Sequence, residues 1–112
     1  MPDHPRIPET TPAEAQARTE GQVLLDVREV DEWAAGHAPD AIHLPLGQLH
    51  PDRLPPATRL LVICRSGNRS GRAVAALVGA GYDALNVAGG MNAWIAAGLP
   101  VLRDDGRPGQ VV

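Results

Sequence analysis

The chain has 112 residues, 44% of them hydrophobic, which is enough to bury the core of one compact domain and no more. A net charge of −3 without a basic patch argues against nucleic-acid binding, and no segment approaches the roughly 18 apolar residues of a membrane span. The single cysteine excludes an internal disulfide and makes a poor zinc site among scattered histidines, so we expect a reducing, cytoplasmic setting.

Helical and extended patterns alternate through the first half of the chain. HPRIPET, residues 4–10, predicts a leading strand or extended arm, and Thr11 predicts the cap of a helix that runs to about Glu20. QVLLDV predicts a buried strand ending at Asp26, and EVDEWAAG predicts a short helical turn closed by Gly36. AIHLPL predicts a second short strand, and GQLHPDRL a second short helix or turn.

The second half repeats the alternation. RLLVIC is a continuous apolar run, typical of a strand buried on both faces. A helix is predicted over 69–80, with an apolar face formed by Val74, Leu77 and Val78. ALNVA predicts another strand, Gly89 and Gly90 a turn, and MNAWIAAG a last helix, followed by a polar, loosely held tail over 103–112. Strands that alternate with helices predict an α/β fold with a mostly parallel sheet.

Three of the predicted strands end in residues of chemical interest. Asp26 ends one strand, Cys64 ends the apolar run, and a glycine pair at 89–90 follows a third strand. Ligands of parallel α/β sheets bind beyond the carboxyl ends of the strands. We therefore expect these three loops to converge on one rim of the sheet.

The loop CRSGNRS joins a predicted strand to the start of a predicted helix. Backbone N–H groups in such a loop point inwards and, with the helix dipole, form an anion site that stabilises a thiolate. Cys64 is therefore predicted to be a nucleophile in an anion-binding cradle, although a lone cysteine at a strand end can also be a small buried hydrophobe. The cradle is predicted to combine charge, backbone freedom and local hydrogen bonds from Arg65, Ser66, Gly67, Asn68, Arg69 and Ser70.

Three segments resemble the signatures of single-domain rhodanese-like sulfurtransferases. They are LLDVREVDEWAAGHAPDAIHLPL, LVICRSGNRSGRAVAAL and NVAGGMNAWIAAGLPV, in the order and spacing of that family. The resemblance implies a rhodanese-like three-layer fold in which a mostly parallel five-stranded sheet is flanked by helices, with the domain over 1–102 and a tail over 103–112. It also implies that Cys64 accepts a sulfane sulfur as a persulfide and passes it on, with no metal or organic cofactor.

The resemblance also implies roles for neighbouring residues. Residues 65–69 would form the substrate cradle, which Arg69 closes, and Asp26 and Arg28 would support the loop. We expect Arg28 to pair with Glu32, and His37 to belong to a turn rather than act as a base. Asp40 stands where the family usually has glycine, and aspartate tolerates the left-handed backbone that this turn needs.

The loop length separates two chemistries of this fold. Four residues lie between Cys64 and Arg69, whereas the related phosphatases have five; Ser70 stands where their arginine would be. The shorter loop favours attack on sulfur. Because the chain has no second thiol, the sulfur must pass to an outside acceptor: cyanide, a small thiol or a protein thiol.

Several alternatives stay open at this point. A phosphatase or an arsenate reductase would share the fold, although the loop length speaks against the first and the single cysteine against most forms of the second. A sulfur carrier without turnover, or a regulatory binding module, would also retain the fold. The expected partners are a small anionic sulfur donor such as thiosulfate and a thiophilic acceptor, with no nucleic acid and no membrane, in a monomer or weak dimer.

Overall fold

Five strands form the central sheet of the computed structural model, which describes residues 7–112. The strands are β1 (Glu9–Thr10), β2 (Gln22–Asp26), β3 (Ile42–His43), β4 (Arg59–Ile63) and β5 (Ala84–Val87). They lie in the order β1-β5-β4-β2-β3, and each neighbouring pair is parallel. The predicted α/β fold with a five-stranded parallel sheet is confirmed.

Among residues 7–112, three helices connect strands and a fourth follows the last strand. They are α1 (Pro12–Gln16), α2 (Val30–Ala35), α3 (Asn68–Gly79) and α4 (Gly90–Ala96), and two short 3₁₀ turns over Leu46–Gln48 and Pro51–Arg53 precede β4. Thr11 caps α1 by accepting a hydrogen bond from the Glu14 N–H, as its sequence position predicts. Among the described residues, no helix has the length and apolar character needed to cross a membrane.

Side chains that alternate along β4 build a core on each face of the sheet, which gives the molecule three layers. One core packs under α3 and contains Leu25, Val27, Leu44, Leu60, Val62, Cys64, Ala73, Val74, Leu77 and Ala84. The other lies against α1 and α4 and contains Ala15, Leu24, Ala38, Leu61, Ile63, Val87, Met91 and Trp94. Since consecutive strand residues point to opposite faces, the continuous apolar run of β4 is buried on both sides, as predicted.

The structure corrects several element boundaries. α1 ends at Gln16 and not near Glu20, because the Arg18 N–H bonds the carbonyl of Ala15, three residues back, in place of the next α-helical bond. The Arg18 guanidinium also donates to that carbonyl, at 2.9 Å. The predicted apolar face of α3 is wrong at Val78, which is 43% exposed. That face is centred on Val74 and Leu77, and the next position turns about 100° towards solvent. Of the predicted leading arm, residues 4–6 lie outside the described residues.

One turn requires a left-handed residue that is not glycine. Asp40 has a φ of 62°, and it is the one non-glycine residue with a positive φ among residues 7–112. The expectation that aspartate would preserve this turn is confirmed. The turn leads into β3, whose register with β2 pairs Asp26 with His43.

The C-terminal segment makes defined contacts in place of the loose attachment predicted from its polar sequence. Leu102 bridges His37 on one side and Pro108 on the other. The N–H of Gly109 bonds the carbonyl of Val101 at 2.9 Å, and the N–H of Gln110 bonds the carbonyl of Ala35, the last residue of α2, at 2.8 Å. Backbone hydrogen bonds, which composition does not reveal, therefore join this segment to the body of the domain.

Candidate active site

Cys64 follows the last residue of β4 and is 1% exposed. The chain turns within three residues, and α3 begins at Asn68. Gly67 precedes that helix with a φ of 102°, a left-handed conformation that glycine adopts without a steric penalty. The loop consequently closes at once and carries its backbone N–H groups back over the sulfur.

Hydrogen-bond donors surround the Cys64 sulfur. Sγ accepts from the Gly67 N–H at 3.1 Å and from the Ser70 hydroxyl at 3.2 Å. Burial raises the pKa of the Cys64 thiol, but the Ser70 hydroxyl and the backbone N–H groups of residues 66, 67 and 70 lower it by more, so the pKa lies below its ordinary value. These donors stabilise the thiolate, as the sequence of the loop predicts.

The remaining loop residues face solvent. Arg65, Ser66 and Asn68 are exposed, and Arg69 is half-buried. Within residues 7–112, Arg69 pairs with Glu32, whereas the Arg65 side chain makes no hydrogen bond or ion pair. The structure therefore brings the predicted cradle residues together on one rim, with the Arg65 charge open to a bound anion.

Arg69 and Glu32 form a two-pronged ion pair between α3 and α2. Nη1 and Nη2 of Arg69 donate to the two carboxylate oxygens of Glu32 at 2.6 and 2.8 Å. The hydrogen bonds from Arg69 lower the pKa of Glu32 to about 2, and the same bonds raise the pKa of Arg69. The predicted pairing of Glu32 with Arg28 is wrong.

Arg28 pairs with Asp26 instead, and both side chains are fully buried. Nη2 of Arg28 lies 2.8 Å from Oδ2 of Asp26 and also donates to the Gly36 carbonyl at 2.7 Å. Asp26 is nearer to Arg28 than Glu32 is because it lies two positions away, where its carboxylate also accepts the Arg28 N–H at 3.0 Å. In the described chain these hydrogen bonds tie β2 to the end of α2, and the sheet register pairs Asp26 with Ile63, the residue before Cys64.

The start of α4 holds the strand end that carries Cys64. The N–H of Met91 donates to the Cys64 carbonyl at 2.8 Å, and the N–H of Asn92 donates to the Arg65 carbonyl at 3.0 Å. A Cβ at Gly90, which has a φ of 60°, would overlap both of those carbonyl groups. The glycine pair therefore lies on the same rim as the Cys64 loop, as predicted, and Met91 itself packs in the core beside α1.

Asn86 of β5 is a site residue that the sequence analysis missed. Its amide Nδ2 donates to the Gly67 carbonyl at 3.1 Å, and its Oδ1 accepts from the Ser70 hydroxyl at 2.6 Å. The signal was a polar residue inside an apolar strand, ALNVA, next to the glycine pair. His37, by contrast, bonds the carbonyl of Trp33 at 2.8 Å within its own turn, as expected.

Comparisons with known proteins match most of the chain to one family. The family model of the rhodanese-like domain matches residues 11–97. "Thiosulfate sulfurtransferase GlpE" of Pseudomonas savastanoi pv. phaseolicola is 40% identical over 101 residues, which are 86% of this chain and 92% of that protein. "Uncharacterized protein slr1261" of Synechocystis sp. is 40% identical over 89 residues, 77% of this chain, and this match spans only 50% of that relative's length.

A solved structure shows the same fold. The crystal structure of a rhodanese-related protein from Thermoplasma volcanium superposes with a TM-score of 0.77 at 32% identity, over 85% of this chain and 97% of that one. The family match covers more than half of the chain, and the sulfurtransferase relative is matched along nearly its whole length. The chain belongs to the rhodanese-like domain family.

Proposed function

We propose that the protein is a sulfurtransferase that takes a sulfane sulfur onto Cys64 and transfers it to a thiophilic acceptor. The observation that carries the proposal is the placement of Sγ, which accepts hydrogen bonds from the Gly67 N–H at 3.1 Å and the Ser70 hydroxyl at 3.2 Å. These donors favour the thiolate, the nucleophilic form of cysteine. The likeness to a relative named thiosulfate sulfurtransferase supports thiosulfate as the donor.

The first half-reaction loads the thiol. The Cys64 thiolate attacks the outer sulfur of thiosulfate and forms a bond between that sulfur and Sγ. The sulfur–sulfur bond of thiosulfate breaks, and sulfite leaves with the bonding electron pair. Cys64 then carries a persulfide whose outer sulfur holds the negative charge, and the inward N–H groups of the loop stabilise it.

The second half-reaction unloads the persulfide. Cyanide or a thiolate attacks the outer sulfur, the bond to Sγ breaks, and the electron pair returns to Cys64 as the thiolate. With cyanide the product is thiocyanate. Because the chain has one cysteine, no internal thiol can resolve the persulfide, and the scheme is ping-pong.

The loop charges assign the donor-binding roles. Arg65 is exposed and unpaired within the described chain, so we assign the sulfonate end of the donor to Arg65 and to the N–H groups of residues 66–68. Arg69 is held by Glu32 at 2.6 Å and adds positive charge while it braces the loop against α2. Asp26 and Arg28 support the rim without touching the donor.

Sulfur is favoured over phosphate by the position of Ser70. The related phosphatases place an arginine six positions after the cysteine, and this chain has Ser70 there. Its hydroxyl donates to Sγ at 3.2 Å from inside the core, where it cannot hold a phosphate group. If the protein were a phosphatase, it would hydrolyse an aryl phosphate, and we expect no such hydrolysis.

A sulfur carrier or a regulatory binding module would use the same loop differently. Its thiol would be loaded by a partner, and it would turn over thiosulfate and cyanide slowly. The burial of Cys64, at 1% exposure, favours a small acceptor over a protein thiol, because the acceptor must enter the cradle. A reducing cytoplasm, in which a lone thiol stays free, completes the proposal.

Intact-mass spectrometry tests the proposal directly. We expect thiosulfate to add one sulfur atom to the purified protein, and cyanide to remove it with formation of thiocyanate. Cys64→Ala should gain no sulfur. Arg65→Gln should gain the same one sulfur atom as the wild-type protein, but its KM for thiosulfate, measured by thiocyanate formation, should be raised. Absence of the adduct with thiosulfate, mercaptopyruvate and polysulfide alike would overturn the proposal in favour of a binding module.

A further inference from the structure

Asn86 lies directly beside the Cys64 loop, and its amide orientation is fixed by its neighbours. The side chain is 5% exposed on β5. The Gly67 carbonyl can only accept a hydrogen bond, so the donor Nδ2 must face it, at 3.1 Å. The acceptor Oδ1 consequently faces the hydroxyl of Ser70, at 2.6 Å.

The Ser70 hydroxyl has one hydrogen and two acceptors within reach. Its Oγ lies 2.6 Å from Oδ1 of Asn86 and 3.2 Å from Sγ of Cys64. When Cys64 is a thiol, the S–H group donates to Oγ and the hydroxyl donates to Oδ1, so all three groups are satisfied. When Cys64 is a thiolate, its charge draws the hydrogen to Sγ, and the buried Oδ1 loses its donor.

We propose that Asn86 is a positioning residue that shares the single Ser70 hydroxyl hydrogen with Cys64. The hydrogen points to Sγ while Sγ carries the charge, and it returns to Oδ1 of Asn86 when the charge moves away. No proton leaves Oγ in either direction, because the hydroxyl only rotates. Asn86 thereby makes the thiolate less favourable than it would be beside an apolar side chain.

The Ser70 hydrogen also changes partner when Cys64 becomes a persulfide, a consequence that rests on the proposed sulfur transfer. In the persulfide, Sγ is bonded to carbon and to the outer sulfur and is neutral, while the outer sulfur holds the charge. The Ser70 hydroxyl then turns back to Asn86, and Oδ1 is satisfied again. Asn86 therefore favours the persulfide over the thiolate, which assists loading of the sulfur.

Removal of Asn86 leaves the loop itself anchored. The Gly67 carbonyl also accepts from the Gly71 N–H at 3.0 Å, and α4 holds the Cys64 carbonyl through the Met91 N–H at 2.8 Å. The charged groups on the elements around the loop are engaged elsewhere or exposed, and within the described chain none of their side chains makes a hydrogen bond or ion pair with Asn86 or Ser70. They are Glu9 of β1, which lies beside Asn86 in the sheet with its side chain exposed, Arg69 of α3, the paired Asp26 and Arg28, and Arg65, Glu29 and Glu32.

The pH dependence of Cys64 alkylation by iodoacetamide tests the shared hydrogen. We expect Asn86→Val to lower the midpoint by about 0.5–1 pH unit, the equivalent of one neutral hydrogen bond, because Ser70 then donates to Sγ alone. Ser70→Ala should raise the midpoint. The double variant, Asn86→Val with Ser70→Ala, should have the same alkylation midpoint as Ser70→Ala alone, because Asn86 acts through Ser70.

Two further variants keep the test decisive. Asn86→Ala repeats the substitution with a smaller residue if the valine variant does not fold. Leu85→Ala, the adjacent residue on the opposite face of β5, should lower stability and leave the midpoint unchanged. The inference would be overturned if the midpoint were unchanged or raised in both Asn86 variants. It would also be overturned if Asn86→Val lowered the midpoint as much in the Ser70→Ala background as in the wild-type protein.

The amount of persulfide at equilibrium tests whether Asn86 favours the loaded form of Cys64. At a fixed ratio of thiosulfate to sulfite and at a pH above the alkylation midpoint of both proteins, where the unloaded Cys64 is a thiolate, we expect Asn86→Val to carry severalfold less persulfide than the wild-type protein by intact mass. Equal loading of the two proteins would contradict this part of the inference. If the wild-type protein takes up no sulfur at all, the proposed function fails, while the alkylation profiles still decide how the Ser70 hydrogen is shared.

Discussion

Two opposing effects set the state of the Cys64 sulfur. Its place in the apolar core beneath α3 favours the neutral thiol, while the donors from residues 66, 67 and 70 favour the thiolate. The effect of the donors is the larger, so the pKa of Cys64 is lowered. A cysteine one residue earlier, at the position of Ile63, would face the other core and meet none of these donors. Reactivity at this site is thus a property of a single position in the chain, the first one past the strand.

Glu32 makes a testable contribution to stability. Its folded-state pKa of about 2 lies below the unfolded value of roughly 4.3, so its stabilising effect is fully present above the unfolded pKa and is lost as the pH falls towards about 2. We expect Glu32→Gln to lower the free energy of unfolding at pH 7 by about 1 kcal/mol. Urea denaturation at pH 7, 5 and 3 measures how the difference from wild type shrinks.

An exposed ion pair provides the control for Glu32. Arg59 and Asp83 lie 3.1 Å apart with roughly half of each side chain exposed to solvent. Asp83→Asn should change stability by no more than about 0.5 kcal/mol at any of these pH values. A loss in Glu32→Gln that stays the same from pH 7 to pH 3 would show that the carboxylate charge does not stabilise the fold.

At the scale of elements, α4 acts on the site through its first turn. Gly90→Ala would press a methyl group against the Cys64 and Arg65 carbonyls, at a φ of 60° that alanine resists. We expect a loss of roughly 2–4 kcal/mol in the free energy of unfolding, from the combined overlap and backbone strain. Chemical denaturation measures this loss, and alkylation kinetics should show a slower Cys64.

Gly98 offers a matched control for Gly90. It also has a positive φ, of 76°, but a Cβ there would have no atom within 4 Å. Gly98→Ala should therefore lose only the backbone term of about 1–2 kcal/mol and leave the alkylation rate of Cys64 unchanged. Equal losses in the two variants would mean that the close approach of α4 to the loop adds nothing to stability.

The order of elements could be read from the sequence because it depends on local patterns. Apolar runs, caps and glycines fixed β2, β4 and α3 to within a residue or two, and the strand ends placed Cys64 on the rim. Side-chain partners could not be read in this way. Glu32 and Arg69 are 37 positions apart, and only the packing of α2 beside α3 brings them together.

The contacts of Asn86 also could not be predicted from the sequence. A lone asparagine in the strand ALNVA can mark a strand edge, a bulge or a buried contact, and its neighbours in sequence do not distinguish these. The parallel pairing of β5 with β4 turns it towards Gly67 and Ser70, which lie 19 and 16 positions earlier. Its importance therefore arises from the register of the sheet.

At the scale of the whole molecule, the C-terminal segment is connected to the site through α2. The Gln110 N–H bonds the carbonyl of Ala35 at the end of α2, and the same helix carries Glu32, which holds Arg69 at 2.6 Å. Val111 packs against the core that contains Trp94. The polar C-terminal segment thus contacts α2, the helix whose Glu32 pairs with Arg69 of the Cys64 loop.

Amide hydrogen exchange measures how firmly this segment is attached. The N–H groups of Leu102, Gly109 and Gln110 donate to backbone carbonyls outside their own turn, so we expect them to exchange at least tenfold more slowly than the N–H of Asp104, which lies in the exposed turn between them. If all four exchange alike, the tail is loosely held, as its composition predicts. If the three N–H groups are protected, deletion of residues 108–112 should also speed exchange in α2, because the hydrogen bond to the Ala35 carbonyl is then lost. The same deletion should weaken the ion pair between Glu32 and Arg69.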